Sequence, residues 1–162
     1  MEVASVSQNS IKIKTKNATF IIDPVGKIDA DVVILTQKPQ DYSEFGDNVV
    51  IDGPGEYEVS GVGIKGEKVN DKLSFDFFED NQRLLFIPLS AAKKLETEDY
   101  TATILALDEK IEGELPSITS EIVAVIGDEE FLPTDRALIK KIDKLNLKKT
   151  EENKGFIVHL SK

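Results

Sequence analysis

Apolar residues come in short runs, and many of the runs carry the two-residue period of a strand. Residues 10–14 alternate Ile11 and Ile13 with Lys12 and Lys14, which predicts a strand with one wet face. Residues 3–6 predict a strand before it. Residues 19–22, β-branched and aromatic, predict one after it, stopped by Asp23 and Pro24. Residues 32–35 form a continuous apolar run and read as a buried strand; residues 48–51 give another short one. Asp52, Gly53, Pro54 and Gly55 predict a turn. Residues 56–59 and 62–65 predict a hairpin across Ser60 and Gly61. Residues 73–79 place Leu73, Phe75 and Phe77 on one face, and residues 83–87 return across an Asp80-Asn81 turn. Residues 101–107 and 121–126 read as buried strands joined by an acidic connection, and residues 155–160 as the closing strand.

Helical signals are fewer. Residues 90–98 predict a short helix, with Ser90 as its cap and Leu95 four positions beyond Ala91. A clearer one begins near Pro133, with Thr134 as N-cap and Asp135 in the first turn. Its stripe would be Leu138, Ile142 and Leu145, at i, i+4 and i+7. Some ten short strands with few helices predict a β-rich α/β sandwich of two mostly antiparallel sheets, with helices outside. At 162 residues the expected organisation is one domain over residues 1–162.

Composition narrows the function classes. Apolar residues make up 40 % and charged residues 31 % of the chain, as in soluble globular proteins. No apolar run approaches the roughly 18 residues of a membrane span. The first residues lack a basic stretch followed by an apolar core, so no signal peptide is expected, and without cysteine there is no disulfide framework. A cytoplasmic location is the expectation. The net charge of −10 argues against nucleic-acid or anionic-membrane partners, since phosphate contacts need local positive charge.

The run at 32–35 leads into Thr36, Gln37, Lys38, Pro39, Gln40, Asp41 and Tyr42. A strand ending in Thr followed by such a loop resembles the signature of the metallo-β-lactamase-fold hydrolases, where H-x-H-x-D-H wraps one or two metal ions. Residues 18–24 resemble that family's second strand and Asp-Pro turn. Residues 53–65 are similar to a segment of its small-molecule branch, the one containing the ascorbate-phosphate lactonases. The resemblance covers residues 1–65 well and residues 83–126 in strand order only. It implies an αββα sandwich, here truncated. Carried over residue by residue, the histidine positions hold Gln37, Pro39 and Tyr42, and the aspartate position keeps Asp41. Gln8 stands where the first loop usually carries a histidine. Pro88 and Leu89 stand where the bridging aspartate would follow a strand, and Gly127 and Asp128 where the last histidine would. The resemblance implies the fold; the departures count against the activity.

The residues themselves point the same way. Zinc needs three or four ligands from Cys, His and carboxylate, and this chain has a single histidine, His159, which reads as an ordinary strand residue. A carboxylate-only site among Asp23, Asp29, Asp31, Asp41 and Asp52 is the alternative, but Asp before a turn commonly bonds its own backbone. Asp41 is the one weak catalytic candidate; its other reading is a cap for residues 42–45. No metal and no cofactor are expected. Gly61 and Gly63 belong to a hairpin and not to a dinucleotide loop.

Arg136, Lys140, Lys141, Lys144, Lys148 and Lys149 read as a solvated helix face. Their other use is docking on an acidic surface such as Glu96, Glu98, Asp99, Asp108, Glu109, Glu112 and Glu114 of the same chain. Self-association, or assembly with a related full-length homologue, is the expected partnership. The expected function is therefore a metal-free, non-catalytic binding or assembly protein, a pseudoenzyme. The alternatives are a hydrolase of a small phosphorylated metabolite with a carboxylate-based metal site, and a small-molecule binder using the old pocket.

Overall fold

Two β-sheets packed face to face contain almost all of the regular structure in the computed structural model, which describes residues 1–92, 99–111, 119–132 and 137–161. The first sheet holds β1 (Glu2–Ser7), β2 (Ser10–Lys14), β3 (Thr19–Ile22), β4 (Val32–Ile34), β5 (Val49–Ile51) and β13 (Lys144–Asn146), in the order β13-β1-β2-β3-β4-β5. The second holds β6 (Gly55–Val59), β7 (Val62–Val69), β8 (Lys72–Glu79), β9 (Gln82–Pro88), β10 (Tyr100–Ala106), β11 (Ser120–Ile126), β12 (Ile139–Ile142) and β14 (Ile157–Leu160), in the order β12-β14-β11-β10-β9-β8-β7-β6. One short α-helix, α1 (Leu89–Ala92), lies outside the second sheet among the described residues, with 3-10 turns at Ser43–Phe45, Glu129–Phe131 and Glu151–Asn153.

Each sheet is mixed. β1, β2 and β3 form an antiparallel meander, and β3, β4 and β5 then run parallel. β6 to β9 form a second meander, and β9, β10, β11, β14 and β12 run parallel. The antiparallel half follows from local turn chemistry. Ser60 and Gly61 carry φ of 54° and 82°, and Asn70 and Asp71 carry 50° and 64°. Two left-handed residues in a row give the primed turn whose twist matches a hairpin. The parallel half leaves no such mark. Its strands are covered on both faces and so read as continuous apolar runs.

The main core lies between the sheets. Val3, Ile11, Ile13, Phe20, Ile22, Val32 and Ile34 meet Phe75, Phe77, Leu84, Phe86, Ala102, Ile104 and Ala124 there. Phe20 and Phe77 pack edge to face at 5.9 Å. Alternate residues point outward. Ile21, Val33 and Leu35 are covered by Phe45 and Ile28 on one side, and Leu85, Ile87, Leu105 and Val125 by Leu89, Ala91, Leu107, Ile111 and Leu132 on the other. Part of each outer face is therefore covered from within the chain, while Glu2, Lys12, Lys14 and Lys144 leave the rest of the first sheet's outer face polar and open. Edges remain at β5, β6, β12 and β13.

The helix expected from residue 134 onward is replaced by strands. Residues 133–136 lie outside the described residues; from Ile139 the chain runs as β12 beside β14, crosses at Asp143, and pairs as β13 with β1. Leu138 is 63 % exposed while Leu145 is fully buried, so the two do not share a stripe. Offsets of 4 and 7 fit a helix, but the chain breaks at Asp143 into two strands, and the β-branched Ile139 and Ile142 complete a parallel ladder. The basic residues Lys140, Lys141 and Lys144 therefore sit on edge strands, which charge protects from pairing; Lys148 and Lys149 lie just beyond β13, and Arg136 is outside the described residues. The short helix at 90–98 is described as far as Ala92. It starts one residue earlier than expected, and Ser90 lies inside it. Residues 93–98 and 112–118 are outside the described residues, and with them Glu96, Glu98, Glu112 and Glu114.

Candidate functional site

The parallel strands of both sheets end at one edge of the sandwich. There β3 runs into Asp23, β4 through Leu35 into Thr36 and Gln37, β9 into Pro88, and β10 through Leu107 into Asp108. These ends, with Asn9 from the β1–β2 turn and Lys72 from the start of β8, line a cleft of about 220 Å³ floored by Phe86, Pro88 and Ala106. Thr36 and Gln37 also border a second hollow of about 410 Å³, lined by Lys38, Asp52, Gly53, Pro54, Lys68, Asp71 and Leu73. Strand ends of parallel sheets collect loops from several elements, which is why folds place sites there.

Asp23 joins two of the strand ends. It sits in the left-handed region at φ 46°, which Asp tolerates better than most residues. Its Oδ1 accepts from the Thr36 N–H at 2.9 Å and its Oδ2 from the Thr36 hydroxyl at 2.6 Å. Its own N–H donates to Ile34 O at 2.9 Å. Burial pushes the carboxyl above its usual range, and the two Thr36 bonds offset only part of that. Asp108 is committed in the same way. It accepts from Ser90 N at 3.0 Å and from Ser90 Oγ at 2.5 Å, while Lys72 Nζ stands 3.8 Å away.

The sequence-derived positions separate. Gln37 lines both hollows and Pro88 lines the cleft. Tyr42 points its hydroxyl at Asp52, donating a short hydrogen bond to the carboxylate, and that bond raises the phenol above its usual range. Its ring packs edge to face on Phe45 at 6.2 Å. Pro39 is half-buried and lines neither hollow. Asp41 is exposed and accepts from Ser43 N at 2.8 Å and Ser43 Oγ at 2.7 Å. Those bonds, the hydroxyl's first, hold it below the usual carboxylate range. Leu89 is buried in the outer layer, packed with Leu85 and Ile87 and turned from the cleft. Gly127 abuts Leu107, where a Cβ would come within 2.7 Å of the Leu107 Cβ, and Asp128 caps a turn by accepting from Glu130 N at 3.0 Å. His159 is buried on β14 beside Val125, whose side chain packs in the outer layer.

Sequence reasoning missed Lys72, Asn9 and the site role of Asp108. Asp108 follows an apolar strand run just as Thr36 does, and the same rule applied to residues 101–107 reaches it. Lys72 carries no local signal, because non-local pairing brings it to the cleft, whereas Asn9 lies beside Gln8 in the first loop that the resemblance points to.

The resemblance implies one or two metal ions at these strand ends. The donors present do not fit one. Among the described residues no three of His, Cys, Asp and Glu converge closely enough to hold a metal. Asp23, Asp41, Asp108 and Asp128 each already accept a pair of hydrogen bonds or cap a turn. Zinc sites need three or four converging ligands.

No protein-family model matches the chain, and no curated protein matches it. Solved structures do. A candidate Zn-dependent hydrolase of the metallo-β-lactamase superfamily from Thermotoga maritima superposes with a TM-score of 0.68 at 17 % identity, over 98 % of each chain. The metallo-β-lactamase fold protein YhfI from Bacillus subtilis gives 0.54 at 7 % identity, over 99 % of this chain and 96 % of that one. Zn²⁺-bound PqqB from Methylobacterium extorquens gives 0.53 at 12 % identity, over 92 % and 82 %. The Thermotoga protein has the same extent as this chain, so the fold exists elsewhere at this size. Identities this low speak for architecture alone, and with the two mixed sheets and the strand-end cleft they establish that this chain has the metallo-β-lactamase fold.

Proposed function

We propose that this chain is a metal-free, non-catalytic binding protein of the metallo-β-lactamase fold, which holds a small molecule in the cleft at its strand ends. One observation carries the reading. The carboxylates at that edge are already spent on the chain's own donors, Asp23 on Thr36 and Asp108 on Ser90, while the hollow between them remains open. Gln37 and Tyr42 supply an amide and a phenol where the family resemblance would put imidazoles. Asp41, the retained aspartate position, serves the turn that follows it. A carboxylate bound in this way, without a metal or a histidine beside it, makes a poor base near neutral pH when its pKa is lowered.

The experiment is a zinc and a manganese titration of the purified chain, followed by calorimetry and by amide resonances of Asp23, Thr36, Gln37 and Asp108. The reading expects no saturable site at these residues and no metal-stimulated turnover of lactone or phosphoester substrates. Stoichiometric binding that shifts these resonances and is lost in Asp23→Asn or Asp108→Asn would restore the carboxylate-based hydrolase.

A further inference from the structure

We propose that the strand-end cleft takes a small organic carboxylate, held by the Lys72 ammonium and the side-chain amides of Asn9 and Gln37, with its apolar body on Phe86, Pro88 and Ala106. This rests on the reading of the cleft as a ligand site and names its ligand class.

The carboxylates in the cleft are taken: both oxygens of Asp23 receive bonds from Thr36, and both oxygens of Asp108 receive bonds from Ser90. The donors are not. Lys72 Nζ has its nearest anion at 3.8 Å, beyond the 2.7–3.2 Å or so of a hydrogen bond. The amides of Asn9 and Gln37 line the same hollow and make no hydrogen bond to the protein among the described residues. An ammonium offers three donors and each amide two more. Each amide also offers an oxygen, so Lys72, a donor only, is what selects an acceptor; with the cleft's carboxylates already bonded, that suits a ligand whose polar end is all acceptor, such as a carboxylate with about four lone-pair sites in one plane.

Charge and size select within the anions. Among the described residues Lys72 is the one cationic side chain lining this cleft, and Asp23 and Asp108 flank it. A phosphate monoester carries close to two negative charges near neutral pH and would meet two carboxylates with one cation to offset them. A monoanion brings half that charge to the same lining, in which Lys72 already stands 3.8 Å from Asp108. An ammonium ligand would find the carboxylates already bonded and Lys72 repelling it. The floor of Phe86, Pro88 and Ala106 suits a hydrocarbon body, and about 220 Å³ is below the usual range for drug-sized ligands, so the acid is a short-chain or single-ring one.

The test is a titration of the ¹⁵N-labelled chain with benzoate, butyrate, benzamide and inorganic phosphate, read at the amides of Asn9, Gln37, Lys72 and Asp108. Benzoate or butyrate is expected to shift these resonances saturably. Lys72→Met is expected to weaken binding about tenfold, the scale of one charge-assisted hydrogen bond, and Lys72→Arg to retain most of it. Benzamide and phosphate are expected to bind far more weakly. The proposal is overturned if neither acid gives a saturable shift, if Lys72→Met binds as well as the parent, or if phosphate or benzamide is preferred. Benzamide binding that Lys72→Met leaves untouched would keep the cleft as a ligand site and discard the carboxylate. Metal content, measured on the same samples, reports on the metal-free reading separately.

Discussion

Replacing Asp23 should destabilise the protein in a way that separates geometry from charge. The carboxylate accepts two half-buried bonds from Thr36, at 2.9 and 2.6 Å, and so ties the end of β3 to the end of β4. Hydrogen bonds to a charged acceptor contribute about 1.5–3 kcal/mol each, and solvent reaching the edge of the cleft reduces that. Asp23→Ala also puts a Cβ with no polar compensation at φ 46°, a region that costs about 1–2 kcal/mol for L-residues. Allowing for partial rehydration of Thr36, the expected loss is about 2–3 kcal/mol, or roughly 5–10 °C in Tm for a chain of this size. Asp23→Asn should lose far less, because its amide oxygen accepts the Thr36 N–H and Asn tolerates the left-handed region. Burial holds the Asp23 carboxyl above its ordinary value, so the native state retains a proton there that the unfolded chain has released. Its contribution is greatest at and below the ordinary carboxylate pKa and declines as pH rises through the higher native value. Asn carries no such decline, so Asp23→Asn should gain on the parent between acidic and neutral pH. Urea unfolding of the three proteins across that range is the assay. The reasoning fails if Asp23→Ala costs less than about 0.5 kcal/mol, the spread of ordinary surface changes, or if Asn and Ala cost the same at every pH.

Arg83 forks onto Asp76, with Nε 3.3 Å from Oδ1 and Nη2 2.6 Å from Oδ2, and its guanidinium lies 4.8 and 4.6 Å from the ring centres of Phe78 and Tyr100. Arg83→Ala should cost about 3 kcal/mol by chemical denaturation, since Asp76 is only 6 % exposed, and Arg83→Lys should recover part of it without the fork. Thr103 is fully buried on β10 and its hydroxyl has no hydrogen-bond partner among the described residues. Thr103→Val keeps the shape and should raise stability by about 1 kcal/mol; a loss of that size would mean the hydroxyl is bonded. Self-association through the sheet edges should give a dimer mass in light scattering at micromolar concentration, weakened by salt if Lys140 and Lys141 take part; a monomer at low and moderate salt would refute it.

The hairpins were legible because their turns are chemically marked. Ser60 and Gly61, and Asp80 with Asn81, sit where the chain must take positive φ or a tight reversal, and each was read from residue type. The parallel ladders were harder to read. Residues 32–35 and 101–107 announce burial, but nothing in them says that β4 lies between β3 and β5 or that β10 lies between β9 and β11. Residues 138–145 carry a helical apolar spacing, and the non-local pairing of β12 with β14 and of β13 with β1 overrides it. The site divides along the same line. Gln37 was reached from the strand that precedes it, whereas Lys72 meets Asp108 only because β8, β9 and β10 are neighbours in the sheet.

The central claim is that a cleft of this fold works without a metal, and elemental analysis of the purified chain tests it most directly. Expressed in medium supplemented with zinc, manganese and iron and purified without chelator, the protein should carry well under one metal per chain, with Asp23→Asn and Asp41→Ala indistinguishable from the parent. A content near one metal per chain that falls in either variant would contradict the account.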